Sequence, residues 1–417
     1  MSQPSSITKV QVSRLDVEQA QQTIWEDCTP IAGHQQITVR EALHRILGEP
    51  IYSPINVPAH TNSAVDGYAV QHADLNDRYA PLDVIGTALA GKPFTGQLAS
   101  GQAVRIMTGA VLPEGADSVI MQEDVDQEGN QIFVQGRHRY GENVRQAGED
   151  LTVGGVALAK GKRLQPADMG LLASLGTNEL KVFRRLRVAF FSTGDELRSL
   201  GEPLAKGEIY DSNRYTLLGM LRALDMDVID LGVVKDDPKS LRSTFESAAD
   251  EADAIITSGG VSVGDADYIR DIMQDLGNIN FWQIAMKPGR PLAYGRIKDT
   301  PMFGLPGNPV AVMITFYQFV KPALLRLAGM DSASAPQRFE VRSASDFRKK
   351  PGRTEYQRAI IQTDDKGELR VHSFGRQGSG ILRSMSEANC LVILPKENDG
   401  VKEGEYVEVQ PFEGMMS

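Results

Sequence analysis

The stretch Ser258-Gly259-Gly260-Val261-Ser262-Val263-Gly264-Asp265-Ala266-Asp267-Tyr268 carries more chemistry than a turn requires. Its glycines let backbone N–H groups come close to an anion, and its serines add hydroxyl donors. Its two aspartates are oxygen ligands suited to a divalent cation. The stretch follows the apolar run Ala254-Ile255-Ile256 and precedes a helix-like segment, so it is predicted to be a strand-to-helix turn. Such turns are where α/β sheets bind ligands. The chemistry expected here is that of an anion-and-metal site.

Three more turns have the same setting: Ser192-Thr193-Gly194-Asp195-Glu196-Leu197, Lys235-Asp236-Asp237-Pro238 and Leu305-Pro306-Gly307-Asn308-Pro309. In a doubly wound sheet all of them lie outside the carboxyl ends of the strands and surround one crevice. Taken singly, each has a structural reading. Asn308 before Pro309 fits a helix N-cap, and either Asp236 or Asp237 fits the cap of a helix begun at Pro238. Glu196 and Asp267 are harder to read as caps, because each follows another acidic residue that can do that work. Lys287-Pro288-Gly289-Arg290-Pro291 places two cations around a Pro-Gly turn, which is either a solvated surface turn or an oxyanion site.

Elsewhere, His60 to Ala69 contains the turn dipeptide Asp66-Gly67, and Arg105 to Ala110 reads as a strand end bearing Thr108. Near the C-terminus, Arg353, Arg358 and Arg376-Gln377-Gly378-Ser379-Gly380 concentrate basic and hydroxyl groups, which suit either an anion or a solvated β surface. There is no His-Glu-x-x-His motif, which argues against a zinc hydrolase of that type.

The elements that must position these groups follow from periodicity. Val188-Ala189-Phe190-Phe191, Val228 to Leu231 and Ile255-Ile256-Thr257 read as buried strands, with further strands near 282–286, 291–296 and 301–305. Helices are predicted over Asn213 to Leu224, Pro238 to Ala252 and Pro309 to Leu327. This alternation predicts a mostly parallel, doubly wound sheet. Before it, Asp16 to Ala20 opens one helix. Thr38 with Glu41 forms a capping box for a second helix stopped by Gly48, and a short helix runs from Pro166 to Leu175. From about Ile51 to residue 153 the texture is β-rich, and residues 336–417 read as a small β-barrel.

The whole chain is consistent with this division. Its 417 residues suffice for several domains. A net charge of −10 argues against general binding to nucleic acid or an anionic membrane, so an anionic substrate needs a local basic pocket. Two distant cysteines offer neither a disulfide framework nor a cysteine metal site. The first ten residues lack a signal-peptide core, and no uninterrupted apolar run approaches the length of a membrane span. A cytoplasmic protein without a membrane helix is expected.

Taken together, the motifs resemble those of the molybdopterin molybdenumtransferase family, often called MoeA, which also supplies the C-terminal part of gephyrin. The resemblance is carried in order by Asn62 to Val70, Arg105 to Ala110, Ser192 to Leu197, Ser258 to Tyr268, Lys287 to Pro291 and Leu305 to Pro309. In the related adenylyltransferases the Gly-Gly turn continues Thr-Gly; here Val261 to Gly264 follows instead. Three positions depart from the family pattern. Gln283 stands where relatives often have Lys, Val65 stands where Met is usual, and Arg290 stands where some carry Lys.

The resemblance implies a multidomain α/β plus β chain and an elongated homodimer. An extended helical region is expected from residues 8–51 and 154–185, with a β-rich domain (52–153) inserted in it. A doubly wound α/β molybdopterin-binding domain (186–335) and a C-terminal β-barrel (336–417) follow. It also implies Mg²⁺-dependent transfer of molybdenum from molybdate to adenylylated molybdopterin with release of AMP. Glu196, Asp236 and Asp267 are the implied metal carboxylates, while Lys287 and Arg290 hold phosphate or molybdate. Thr193, Gly194, Asp195, Ser258, Gly259, Gly260, Ser262, Gly264, Gly307 and Asn308 line the substrate site. Asp66 and Thr108 position water or molybdate oxygens, and Arg358 and Ser379 form an oxyanion pocket, with both subunits contributing to one cleft. The implied partners are a second copy of the chain, a molybdopterin adenylyltransferase and apo-molybdoenzymes. A gephyrin-like scaffold and another Mg²⁺-dependent phosphoanhydride-cleaving enzyme are the alternatives. No residue decides between molybdate and tungstate.

Overall fold

The computed structural model describes residues 13–76, 80–260, 267–331 and 336–412. Its central sheet is built from β1 (Ser13–Leu15), β2 (Arg187–Thr193), β3 (Asp227–Val234), β4 (Ala254–Ser258), β5 (Gly277–Ile284), β6 (Pro291–Ile297) and β7 (Thr300–Leu305). The strand order is β1-β5-β6-β7-β4-β2-β3. The pairs of β2 with β3, β2 with β4 and β4 with β7 are parallel, whereas β6 runs antiparallel to both neighbours.

Side-chain alternation along these strands explains why helices cover both faces. Val188 and Phe190 of β2 pack on one side with Ile256, Phe303 and Leu305. Ala189 and Phe191 pack on the other with Ile255 and Met302. The first face is covered by α1 (Val17–Asp27), α2 (Ser212–Ala223) and α5 (Pro309–Leu327). The second is covered by α3 (Pro238–Glu251) and α4 (Asp267–Leu276). A sheet buried on both faces needs continuous apolar runs, which is how β2 and β4 read in the sequence.

Along α5, Phe316–Val320 forms a π turn. By length and composition α5 is apolar enough to cross a membrane, with a mean hydropathy of 1.3, yet 67% of that stretch is buried among the other elements. Here it serves as the core helix.

The N-terminal stretch is less helical than its sequence suggests. Ser13–Leu15 joins the central sheet beside β5, and the capping box at Thr38 and Glu41 forms but supports only the 3-10 turn Val39–Glu41. The expected helix to Gly48 gives way to tertiary partners. Ala42 and Leu47 are buried against Leu164, Leu172 and Leu180, and His44 adopts φ 65°. The N–H of Gly48 donates to the Lys181 carbonyl at 2.9 Å. Burial of these side chains outweighs a helix propensity of a few tenths of a kcal/mol per residue. The later helix, Pro166–Ser174, forms with Pro in its first turn.

Between these segments lies an open six-stranded sheet that includes Gly67–Val70, Leu82–Ala88, Gln102–Ile106 and Ser118–Met121. Gly67 is required there, because a Cβ at this position would lie 1.9 Å from the Ile120 carbonyl oxygen.

The C-terminal strands are β8 (Phe339–Ser343), β9 (Thr354–Thr363), β10 (Leu369–Ser373), β11 (Cys390–Leu394) and β12 (Tyr406–Pro411). They pair β9 to β10, β10 to β8, β8 to β12, β12 to β11 and β11 back to β9. The ring is closed, so it is a small barrel with no free edge among these strands. Met286 and Lys287 pair with Thr354 and Glu355, which ties the barrel to the α/β unit.

Candidate active site

The turns after β2, β3, β4 and β7 open on one cavity of about 970 Å³. Thr193, Gly194 and Glu196 come from the first turn, Asp236 from the second and Ser258, Gly259 and Gly260 from the third. Gly307 and Asn308 come from the fourth. Lys287 and Arg290 add positive charge to the lining, and the barrel adds Arg353 and Ser379.

The turns lock one another. Gly259, at φ +96°, passes so close to Thr193 that a Cβ would lie 2.6 Å from the Thr193 carbonyl oxygen. Asn213, in the first turn of α2, donates from Nδ2 to Ser258 Oγ at 2.9 Å and to the Gly307 carbonyl at 2.7 Å. The sequence reading missed this clamp. Its signal was a polar residue in the first turn of a helix at the carboxyl edge of the sheet, the side that faces the crevice. The N–H of Val310 donates to the Ser379 carbonyl at 3.1 Å, so the barrel loop sits on the start of α5.

The structure also separates caps from site residues. Asp237 is the N-cap of α3: its carboxylate accepts from the Ser240 side chain and from the Ser240 and Lys239 N–H groups, which holds its carboxyl below the usual range. Asp237 thereby takes the cap, and Asp236 lines the cleft. Burial, then the like charges of Asp195 and Glu196, push the Asp236 carboxyl upward, against a hydrogen bond from Thr193. Asn308 occupies the N-cap position of α5, but its side chain makes no capping bond. Replacing Asp237 with alanine is expected to cost about 1 kcal/mol of stability. Thermal unfolding should show this loss with little change in turnover, in contrast to any change at Asp236.

Lys287 Nζ donates to Glu355 Oε1 and Oε2 at 3.2 and 3.3 Å. Glu355 is buried and also accepts from Gln357 Nε2 at 3.1 Å. The pair holds a cleft lysine against the barrel wall. Arg358 does not line the cleft. It is fully buried beneath the 377–380 loop, where Nε donates to Ser384 Oγ at 3.0 Å and a terminal nitrogen donates to the Gly378 carbonyl at 2.9 Å. Neither partner is a carboxylate, and burial lowers its pKa to about 10.

Asp66 and Thr108 meet each other but not the cleft. Asp66 Oδ1 accepts from the Thr108 N–H and from Thr108 Oγ1, both at 2.7 Å, and these bonds lower the Asp66 pKa. Asp195 neighbours the cleft closely enough to perturb Asp236 without lining it. Ser262 and Gly264 lie outside the described residues, as does the side chain of Asp267, whose backbone opens α4. Among the described residues no group of three or more His, Cys, Asp or Glu is arranged to hold a metal ion.

With this arrangement in view, relatives are informative. The chain is 41% identical over 404 residues to the molybdopterin molybdenumtransferase of Haemophilus influenzae, across 96% of this chain and 100% of that one. The chain belongs to the MoeA family. Family profiles match residues 15–176 (MoeA N-terminal region, domain I and II), 189–326 (probable molybdopterin binding domain) and 340–412 (MoeA C-terminal region, domain IV). The crystal structure of the molybdopterin biosynthesis moeA protein from Pyrococcus horikoshii OT3 superposes with a TM-score of 0.81 at 30% identity, across 96% of this chain and 100% of that one. Gephyrin from Dictyostelium discoideum is 32% identical over 443 residues, across 94% of this chain and 61% of gephyrin. The sheet-edge turns that converge on the cleft fall within the stretch matched as the molybdopterin-binding domain of MoeA proteins, and Ser379 falls within the matched C-terminal region.

Proposed function

We propose that this chain is a molybdopterin molybdenumtransferase, an enzyme of molybdenum cofactor biosynthesis that takes molybdenum from molybdate into adenylylated molybdopterin with release of AMP. One observation carries the reading. One 970 Å³ cleft is lined by the carboxylates Glu196 and Asp236, the cations Lys287 and Arg290, and glycine-rich strand-to-helix turns. A substrate with a phosphoanhydride and a dianionic co-substrate need this combination, because their negative charges must be brought together.

The residues divide the work. The N–H of Gly260 suits phosphate oxygens, since a glycine turn lets a backbone donor come close to an anion, whereas the Gly259 N–H is held by the Leu305 carbonyl and the Val310 N–H by the Ser379 carbonyl. Thr193, Gly194 and Ser258 shape the same floor. Lys287 and Arg290 offer positive charge to phosphate or molybdate, Lys287 as a point charge kept in place by Glu355. Arg358 is a buried cation without a carboxylate partner among the described residues, and it underlies the loop that carries Ser379. That loop is our candidate oxyanion pocket.

Mg²⁺ fits the acidic wall, because a cation offsets the burial and the like charges of Asp195 and Glu196 that raise the Asp236 carboxyl. Glu196 and Asp236 would hold it, with Asp267 as the third carboxylate. When bound, it supplies charge neutralisation to the pyrophosphate.

We further propose a homodimer in which Asp66 and Thr108 serve the partner's cleft, since they do not line the cleft of their own chain. Asp66→Ala and Lys287→Ala are expected to be inactive separately. Coexpressed, they should regain a substantial share of activity through mixed dimers with one intact cleft, and no recovery would argue for complete sites within each chain. We place the reaction in the cytoplasm, between a molybdopterin adenylyltransferase that supplies the substrate and apo-molybdoenzymes that receive the product. The test is a defined mixture of this chain, adenylylated molybdopterin, molybdate, Mg²⁺ and an apo-molybdoenzyme. Activation of the apo-enzyme should require every component, and activation that persists without the chain would remove the assignment.

A further inference from the structure

A second concavity of about 310 Å³ adjoins the main cleft, and Arg290 and Arg353 line both. Its wall is assembled from three parts of the chain: Arg14 on β1, Gln283 to Ala285 with Arg290 near the end of β5, and Gly352-Arg353 just before β9. Backbone bonds stitch these parts together. Arg14 lies opposite Gln283 in parallel register. The N–H of Ala285 donates to the Leu15 carbonyl at 2.8 Å, and the N–H of Thr354 donates to the Ala285 carbonyl at 2.9 Å. Arg14 is thereby placed by strand pairing, and Arg290 and Arg353 each directly precede a paired strand.

The charge balance of this annex is unusual for the molecule. The chain carries a net charge of −10, and several of its arginines are matched with carboxylates, as in Arg184 with Asp253 and Arg214 with Asp230. Three arginines line the annex and, among the described residues, no carboxylate does. Among the described residues, Arg14 and Arg353 have neither an ion pair nor a side-chain hydrogen bond. Arg290 donates to Gln283 Oε1 at 2.8 Å, a neutral oxygen that orients the guanidinium without cancelling its charge. Like charges gathered around one concavity repel, and a bound anion turns that cost into attraction. Planar guanidinium groups are matched to tetrahedral oxyanions.

We propose that this annex is an anion subsite, in which Arg14, Arg290 and Arg353 hold a tetrahedral oxyanion. The anion is either a free inorganic one or the phosphoryl end of a nucleoside monophosphate, since both present the same oxygens. Its connection to the main cleft lets the anion pass between the two.

The test is calorimetric titration of the full-length chain at low salt with inorganic phosphate, molybdate and AMP in turn. Variants are Arg14→Ala, Arg14→Glu and the Arg14→Ala/Arg353→Ala double substitution. Arg14 is exposed on an edge strand, so unfolding midpoints should be unchanged. The wild type should bind one equivalent of anion that weakens about tenfold in Arg14→Ala and is lost in Arg14→Glu and in the double variant. Lys287→Ala should retain that equivalent, which separates the annex from the main cleft. Loss of phosphate and molybdate alone identifies a free oxyanion, and loss of AMP as well identifies a phosphomonoester. Identical binding of all three probes to wild type and double variant, or no binding to the wild type at millimolar concentration, overturns the proposal.

Discussion

Exchanging Arg358 for methionine is expected to lower molybdenum transfer by about 10²-fold or more while changing stability by less than about 2 kcal/mol. The two effects separate for a physical reason. Arg358 is fully buried and has no carboxylate partner among the described residues, so the fold bears the cost of desolvating a cation. Methionine removes that cost and fills similar volume. What is lost is a bond to Ser384 Oγ, which itself still donates to the Ile381 carbonyl at 2.6 Å, and a bond to the Gly378 carbonyl. Losing one such acceptor bond costs roughly 1–3 kcal/mol, comparable to the desolvation regained. The positive potential beneath the Ser379 loop disappears outright. Arg358→Lys should recover part of the activity, since charge returns without the planar geometry. Steady-state transfer and thermal unfolding measured on both variants decide the matter. A folded Arg358→Met protein with near-wild-type transfer would show that the buried charge has no part in the reaction.

Asp236→Asn is expected to act in opposite directions on stability and activity. The Asp236 carboxyl is raised by burial and by Asp195 and Glu196, so the folded chain holds this proton more tightly than the unfolded chain does. The stabilising contribution is therefore present below the ordinary carboxylate range and is lost as pH rises through the raised value. At neutral pH the ionised group works against folding. Asparagine removes that repulsion, so the unfolding midpoint without metal should rise, and the rise should vanish in acid. Mg²⁺ should raise the wild-type midpoint, because a ligand that binds only the folded state stabilises it. It should not raise the variant's midpoint to the same extent, and transfer should fall by about 10²-fold. An equal Mg²⁺ response in both proteins would remove Asp236 from the metal site.

Much of this architecture was legible from local pattern. Continuous apolar runs at Val188 to Phe191 and Ile255 to Thr257 announced strands buried on both faces, and the Asp237 and Pro309 signals fixed helix starts to within a residue. What failed was the stretch from Thr38 to Gly48. Its capping box is real, but the chain beyond it is captured by partners more than a hundred residues away, at Arg163 and Val182. Periodicity cannot register such competition. The short strand Ser13–Leu15 was invisible for a similar reason: three residues carry no period, and only β5 gives them a ladder.

The candidate site divides in the same way. Turn position after strands was enough to bring Thr193, Glu196, Asp236, Ser258 and Gly307 together, because sheet topology alone places them on one edge. Which aspartate capped α3 required coordinates, since Asp236 and Asp237 have equal chemistry and differ only in reach. Asn213 and Glu355 were not readable as site residues. Each acts through a long-range partner, Ser258 and Lys287 respectively, that no spacing rule connects.

The central claim, that the cleft couples a phosphoanhydride substrate to a molybdenum oxyanion, is tested most directly by AMP release. The chain is incubated with adenylylated molybdopterin and Mg²⁺, with and without molybdate, and AMP is quantified over time. The account predicts AMP release that depends on molybdate and is lost in Lys287→Ala. AMP release at the same rate without molybdate would contradict it and would leave a phosphoanhydride hydrolase in its place.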